Sequence, residues 1–270
     1  MTKINLSHVK LMGIINLTPD SFSDGGKIDN LQNFMQVAEN MLIEGATILD
    51  LGAESSGPNS VDITETEEAA RLLPYLEALI SLKSKYNFEI SIDTYKGAIA
   101  DQALQIGATI INDVTGLRGD PQMAETLAKH SCKIVIMYSK DPSARTTKTA
   151  TTYTDVIKTI TEFFEKQIAY AEANGINRNR IILDPGMGAF ISTISNYSYQ
   201  ILERLGELKS HFKLPILVGT SLKSMHPFPL EQRLIPSVIT ATIGAINGAD
   251  ILRVHNVKEH YQAIKTLSFD

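Results

Sequence analysis

Short runs of β-branched and other apolar residues alternate along the chain with longer stretches in which apolar residues recur every three or four positions. The short runs, bounded by turn signals, read as buried strands, and the long periodic stretches read as amphipathic helices. Eight strands are predicted, at 11–16, 47–51, 89–93, 109–112, 133–137, 181–184, 216–219 and 250–254. Helices are predicted between them, for example at 31–44, 64–85, 153–174 and 196–212. Gly45, Gly107, Gly175 and Gly248 stand just past helical runs and just before strands, where a left-handed glycine ends a helix. Strand and helix repeating in this order imply the α/β class with a parallel sheet, and eight such units closing on themselves give a (β/α)8 TIM barrel.

A length of 270 residues suits that architecture as a single domain over 1–270. The longest irregular segments, at 18–30, 53–63, 139–152, 185–195 and 226–229, each follow a strand and precede a helix, so none reads as a linker. In a barrel all of them open on the carboxyl face of the strands, where barrel enzymes carry their chemistry.

Net charge is -5, so the chain lacks the basic field that tracks nucleic acid or an anionic membrane, and neither is an expected partner. The single cysteine, Cys132, begins an apolar run and reads as a small buried hydrophobe; one thiol forms no disulfide within the chain. The N-terminus lacks the pattern of a signal peptide and no apolar run reaches membrane-spanning length, so a cytoplasmic location is expected. His130, His211 and His260 lie within or beside helical runs, where a histidine is ordinarily on the surface.

The strand tips carry the chemistry: Asn16, Asp50, Asp93, Asn112, Met137, Asp184, Ser221, and the pair Arg253 and His255. Any one such Asn or Asp also reads as a helix cap or an Asx turn, and Asp50 is read that way. Asp93, Asn112 and Asp184 together point to a shared ligand, because a barrel aims these tips inward. Two carboxylates and an amide offer many acceptors and one donor group, which suits a ligand edge rich in N–H, such as a 2-amino-4-oxopyrimidine. Lys223 is placed to donate to a ring carbonyl or nitrogen. Arg253 and His255, two apart, share a face of the last strand and form a suitable clamp for a diphosphate. Asn16 and the following loop to Gly26 offer oxygen ligands to a hard cation such as Mg2+.

These residues stand in motifs that resemble the dihydropteroate synthase family: GIINLTPDSFSDGG at 13–26, SIDTYK at 91–96, IINDVTG at 110–116, ILDPGMG at 182–188, VGTSLKS at 218–224 and ADILRVHNV at 249–257. The resemblance covers nearly the whole chain. It implies a cytoplasmic homodimeric barrel, a transferase that condenses 6-hydroxymethyl-7,8-dihydropterin diphosphate with 4-aminobenzoate and releases diphosphate, with Mg2+ as cofactor. Asp93, Asn112, Met137, Asp184 and Lys223 match the pterin-binding positions. Asn16, Arg253 and His255 match the diphosphate site, with Asn16 also at the metal position, and Arg253, His255 and Lys223 are the implied catalytic residues. Ser56, Pro58, Phe190, Ser221 and Ser224 are the implied aminobenzoate contacts.

The departures from the family lie in loops that would handle the second substrate or the leaving group. Ser56 and Gly57 stand where a Thr-Arg pair is usual, DPGMGAFIS after the sixth strand lacks the usual Gly-Phe-Gly-Lys run, with Ala189 and Phe190 near its aromatic position, and Leu222 replaces an arginine. His226-Pro-Phe-Pro229 replaces a glycine-containing segment. DPGMG with Ser56 is also similar to members that tolerate sulfonamides. Other readings of this pattern are a pterin-binding paralogue with little synthase activity or another amine acceptor, and a pterin-binding methyltransferase, which lacks the diphosphate clamp.

Overall fold

The structure, a computed structural model, describes residues 4–18, 30–57 and 60–268. Pro58 and the opening loop beyond Thr18 lie outside the described residues. The strands are β1 (Lys10–Asn16), β2 (Ile48–Gly52), β3 (Glu89–Asp93), β4 (Ile110–Asp113), β5 (Lys133–Met137), β6 (Ile181–Asp184), β7 (Leu217–Val218) and β8 (Ile251–Val254). They pair in parallel in the order β6-β5-β4-β3-β2-β1-β8-β7, and a parallel bridge between Leu183 and Ile216 joins the two ends. The sheet therefore closes as the TIM barrel that the alternation predicts. β7 is shorter than expected because the Ile216 amide donates to the Asp250 carboxylate at 2.7 Å rather than to a neighbouring strand.

Around the barrel run α1 (Leu31–Ile43), α2 (Glu65–Ile80), α3 (Gly97–Ile106), α4 (Met123–Lys129), α5 (Val156–Ala173), α6 (Asn196–Glu203), α7 (Leu205–Phe212), α8 (Leu234–Ile246) and α9 (Val257–Thr266). Thr64 begins α2 with a capping box to Glu67, and Asp155 caps α5 by accepting from the Ile157 and Lys158 amides. The four helix-ending glycines have φ between 89° and 134°, in keeping with the expectation. The predicted helix at 196–212 is instead two helices broken at Arg204, whose φ of -101° and ψ of 15° leave the helical region. There the Arg204 guanidinium bonds both Asp155 and Glu207, and Gly206 follows with weak helix propensity. His260 is a correction: it is 1% exposed, because α9 turns Val257, His260 and Ile264 to the core at helical spacing. Among the described residues no helix is long and apolar enough to cross a membrane.

The barrel interior explains the position of the polar tips. Met12, Ile48, Ile110, Val135, Ile182, Leu217 and Ile251 form one buried apolar layer inside the ring. Side chains alternate across a strand, so the residue two steps on faces the same interior. Those residues are Ile14, Asp50, Asn112, Met137, Asp184, Gly219 and Arg253. The polar layer thus sits directly above an apolar floor, at the carboxyl ends of the strands.

Candidate active site

Above the floor opens a cavity of about 690 Å³, lined by Asn16, Ser56, Asp93, Asn112, Met137, Asp184, Phe190, Ser221, Lys223, Ser224, Arg253 and His255. Every candidate from the sequence within the described residues therefore lines one space. Pro58 lies outside them.

At the centre is a charge network. Arg253 donates from Nε to Asp50 Oδ2 at 2.6 Å and from Nη2 to Asp93 Oδ2 at 2.5 Å. Asn112 Nδ2 donates to the same Asp50 oxygen at 3.3 Å, which turns its carbonyl oxygen the other way. Asp50 is fully buried, and its second oxygen has no hydrogen-bond partner among the described residues. Reading Asp50 as a helix cap was mistaken: it lies within β2, two residues from its end, where alternation aims it into the ring.

Burial raises the Asp93 carboxyl to about 7, opposed by Arg253 and seconded by Asp50. Burial also raises Asp184 to about 6, opposed by the Gly186 amide that donates to it at 2.8 Å and by Lys223 and Arg253. Lys223 is lowered to about 8, by burial first and then by the like charge of Arg253. Its ammonium stands 4.6 Å from the centre of the Phe190 ring. Burial works against the Arg253 charge too, but Asp50 and Asp93 outweigh it and hold the guanidinium protonated. Two acids and one base near neutrality in one cavity are what proton-sensitive ligand recognition needs.

His255 follows β8, and its Nδ1 meets Ser221 Oγ at 3.0 Å, while its backbone amide donates to the same hydroxyl at 3.2 Å. Ser221 is thereby tied to His255. Met137 packs with Val114, Ala144 and Phe190 as the apolar wall.

The loops that depart from the family pattern have their own supports. Gly186 and Gly188 are both left-handed, with φ of 71° and 63°; a Cβ on Gly186 would meet the Tyr138 carbonyl oxygen at 2.3 Å, and one on Gly188 the Ser224 hydroxyl at 3.2 Å. These glycines let the sixth-strand loop lie against its neighbours. Leu222 is left-handed with φ of 57°, a conformation that costs a residue with a Cβ about 1 to 2 kcal/mol. It is held by Ser237 Oγ, which accepts from its amide at 2.9 Å, and by Arg233, which donates to its carbonyl at 3.1 Å.

A second charged cluster beside the cavity has no local signature along the chain. Lys96 donates to Glu54 at 2.6 Å and to Glu68 at 2.7 Å, all three being nearly or fully buried. Arg145, from the fifth-strand loop, bonds Glu54 from the other side. These partners are tens of residues apart, and only the barrel brings them together.

The chain matches the family model described as pterin binding enzyme over residues 12–255. It is 38% identical to the dihydropteroate synthase of Escherichia coli (strain K12) over 270 residues, 98% of this chain and 93% of that enzyme. A crystal structure of the Yersinia pestis dihydropteroate synthase with a sulfonamide drug superposes with a TM-score of 0.88 at 38% identity, covering 98% of this chain and 94% of that one. The Xanthomonas albilineans dihydropteroate synthase with 4-aminobenzoic acid superposes with a TM-score of 0.86 at 32% identity, covering 97% and 92%. With the motifs in order, the barrel closed and the match spanning nearly the full length, the chain belongs to the dihydropteroate synthase family of pterin-binding enzymes.

Proposed function

We propose that the chain is a single-domain dihydropteroate synthase, a transferase that joins the methylene of 6-hydroxymethyl-7,8-dihydropterin diphosphate to the amine of 4-aminobenzoate and releases diphosphate. The observation that carries this reading is the meeting, in one cavity, of an acceptor-rich layer of Asp93, Asn112 and Asp184 with the cations Lys223 and Arg253. Asp184 and Asp93 accept from the N–H groups of the pterin edge, Asn112 completes that edge, and Lys223 donates to a ring acceptor. Met137 gives the flat ring an apolar wall.

Arg253 and His255 hold the diphosphate. A guanidinium has five N–H donors, and the bonds to Asp50 and Asp93 use two. When Nδ1 of His255 accepts from Ser221, the ring carries its proton on Nε2 as a donor. The nitrogen lone pair of the amine attacks the methylene, the C–O pair leaves with diphosphate, and the amine proton is released. An arylamine is uncharged near neutral pH, so no strong base is required; stabilising the departing anion is the main task.

Asn16 suits a cation that arrives with the substrate. Among the described residues no group of three or more His, Cys, Asp and Glu gathers to hold a metal, and a single exposed amide oxygen fits Mg2+ coordinated chiefly by phosphate oxygens and water. Bound there, Mg2+ would neutralise charge on the leaving group.

The amine subsite is assigned to Ser56, Pro58, Phe190, Ser221 and Ser224, the region where a sulfonamide would compete. Gly57→Arg with Leu222→Arg restores two cations there. Among the described residues a Cβ on Gly57 meets only the Ser55 hydroxyl, at 3.3 Å, and arginine at 222 inherits the backbone strain already present. The double variant is expected to lower the Michaelis constant for 4-aminobenzoate about three- to tenfold, with pterin affinity unchanged, in steady-state assays.

The homodimer is proposed on α8. Ile235, Ile239, Ile243 and Ile246 are 71, 53, 41 and 45% exposed and share one face of that helix. A two-fold axis that sets this apolar stripe against its copy would cover it. Ile239→Glu is expected to shift the sedimenting species from dimer to monomer; an unchanged dimer would move the interface elsewhere. Metabolite substrates and the free, buried Cys132 agree with a cytoplasmic location.

The direct test of the activity is mass spectrometry of the reaction mixture. Dihydropteroate should form from the two substrates with Mg2+, and a protein that binds pterin diphosphate but forms no condensed product would overturn the reading.

A further inference from the structure

The fifth-strand loop stitches two of the loops that wall the cavity. Arg145 Nη2 donates to Glu54 and to the Val61 carbonyl at 2.9 Å and forms an ion pair with Asp62 at 2.9 Å, all on the second-strand side. The next residue, Thr146, lines the cavity; its amide donates to the Ser56 carbonyl at 3.4 Å and its hydroxyl to the Ala189 carbonyl of the sixth-strand loop at 2.9 Å. The Lys140 ammonium, 4% exposed, donates to the same Ala189 carbonyl at 2.7 Å. Positions 56 and 189 are among those at which the chain departs from its family, so the stitched segments are the ones that shape the second-substrate side of the cavity.

We infer that Arg145 is a positioning residue for the amine subsite, setting the spacing between the second- and sixth-strand loops through Glu54 and Thr146. This rests on the synthase reading above. Arg145 does not line the cavity, and Glu54 lies beside its charge, so it acts through geometry rather than by attracting the carboxylate of the amine. Its side chain is 17% exposed, and its Nη2 bonds a carboxylate and a backbone carbonyl at once at the full reach of an arginine side chain. With Gly57 in place of the arginine usual in the family, the second-strand loop lacks a cation of its own, and Arg145 fastens it from across the barrel mouth. Glu54 is held on its other side by Lys96, so the brace ends on a fixed point.

The test compares the parent protein with Arg145→Ala, Arg145→Lys and Thr146→Val, the last removing the hydroxyl that meets the Ala189 carbonyl and the Asp141 carboxylate and accepts from Lys140. Steady-state diphosphate release gives kcat and KM for 4-aminobenzoate, and calorimetry with a phosphate-free pterin gives the pterin affinity. Arg145→Ala should raise the amine KM about tenfold, with kcat within threefold and pterin affinity within twofold of the parent. Arg145→Lys should fall between the two, and Thr146→Val should move the amine KM in the same direction. If Arg145→Ala does not fold, the lysine and valine variants carry the comparison. An unchanged amine KM, or losses of pterin affinity and amine KM in step, would overturn the role of Arg145. A parent protein that binds pterin but releases no diphosphate with an arylamine would overturn the synthase reading instead.

Discussion

Arg253→Ala is expected to slow diphosphate release about a hundred- to a thousandfold, the effect of removing a preorganised donor worth about 2.7 to 4 kcal/mol from a developing anion. Binding of a pterin that carries no phosphate should weaken far less. The substitution also leaves two acids without their cation: Asp50, fully buried, and Asp93, whose side chain is 23% exposed. Breaking a buried pair in this way costs about 3 to 5 kcal/mol of stability, and the low end is expected because Asp93 can take up a proton. The sign with pH follows. Loss of Arg253 removes a charge that lowers Asp93, so in the variant Asp93 takes up its proton above the parent value of about 7, and the stability deficit should shrink as pH falls toward 7 and level off below it. Thermal melts and single-turnover kinetics on one preparation separate the two effects. Equal losses in release rate and in phosphate-free pterin affinity would assign Arg253 to the ring pocket rather than to the leaving group.

Asp184→Asn is expected to weaken pterin binding by about 1.5 to 3 kcal/mol, the contribution of a hydrogen bond to a charged acceptor, while the fold survives. The amide keeps one acceptor oxygen for the Gly186 amide and places an NH2 where the pterin offers donors of its own. The parent protein should show the same dependence as pH varies. Burial raises Asp184 to about 6, so its carboxylate form fills as pH rises through that value and affinity rises with it, then levels. At pH 5 the affinity should be about tenfold below the plateau from this group alone, one pKa unit below the midpoint. The asparagine variant should lose that step and retain the one from Asp93, centred near 7. Calorimetric titrations between pH 5 and 8 decide it: unchanged affinity in a folded variant removes Asp184 from the pterin site.

The barrel and most of the site were legible because both follow from local period. Three of the strands, at 89–93, 133–137 and 181–184, have the predicted bounds, since short β-branched apolar runs bounded by turn signals are strong local signals. The same alternation that puts Ile110 and Ile182 in the floor puts Asn112 and Asp184 in the layer above. Asp50 obeys this rule as well, two residues after Ile48, but β2 continues past it to Gly52, so it does not stand out as a strand tip. His260 shows the same point: residue type suggests the surface, but its helical step from Val257 turns it to the core. The break at Arg204 and the short β7 depend on side chains, Asp155 and Asp250, that arrive from distant segments. The Arg145–Glu54 contact spans 91 positions in sequence and has no local period at all.

The measurement that bears most directly on the account is diphosphate release from 6-hydroxymethyl-7,8-dihydropterin diphosphate with Mg2+, with and without 4-aminobenzoate. The synthase account predicts release that depends on the amine, one diphosphate for each dihydropteroate formed, and that is lost with Arg253→Ala. Tight binding of the pterin diphosphate with no amine-dependent release would contradict it and leave a pterin-binding paralogue as the better description.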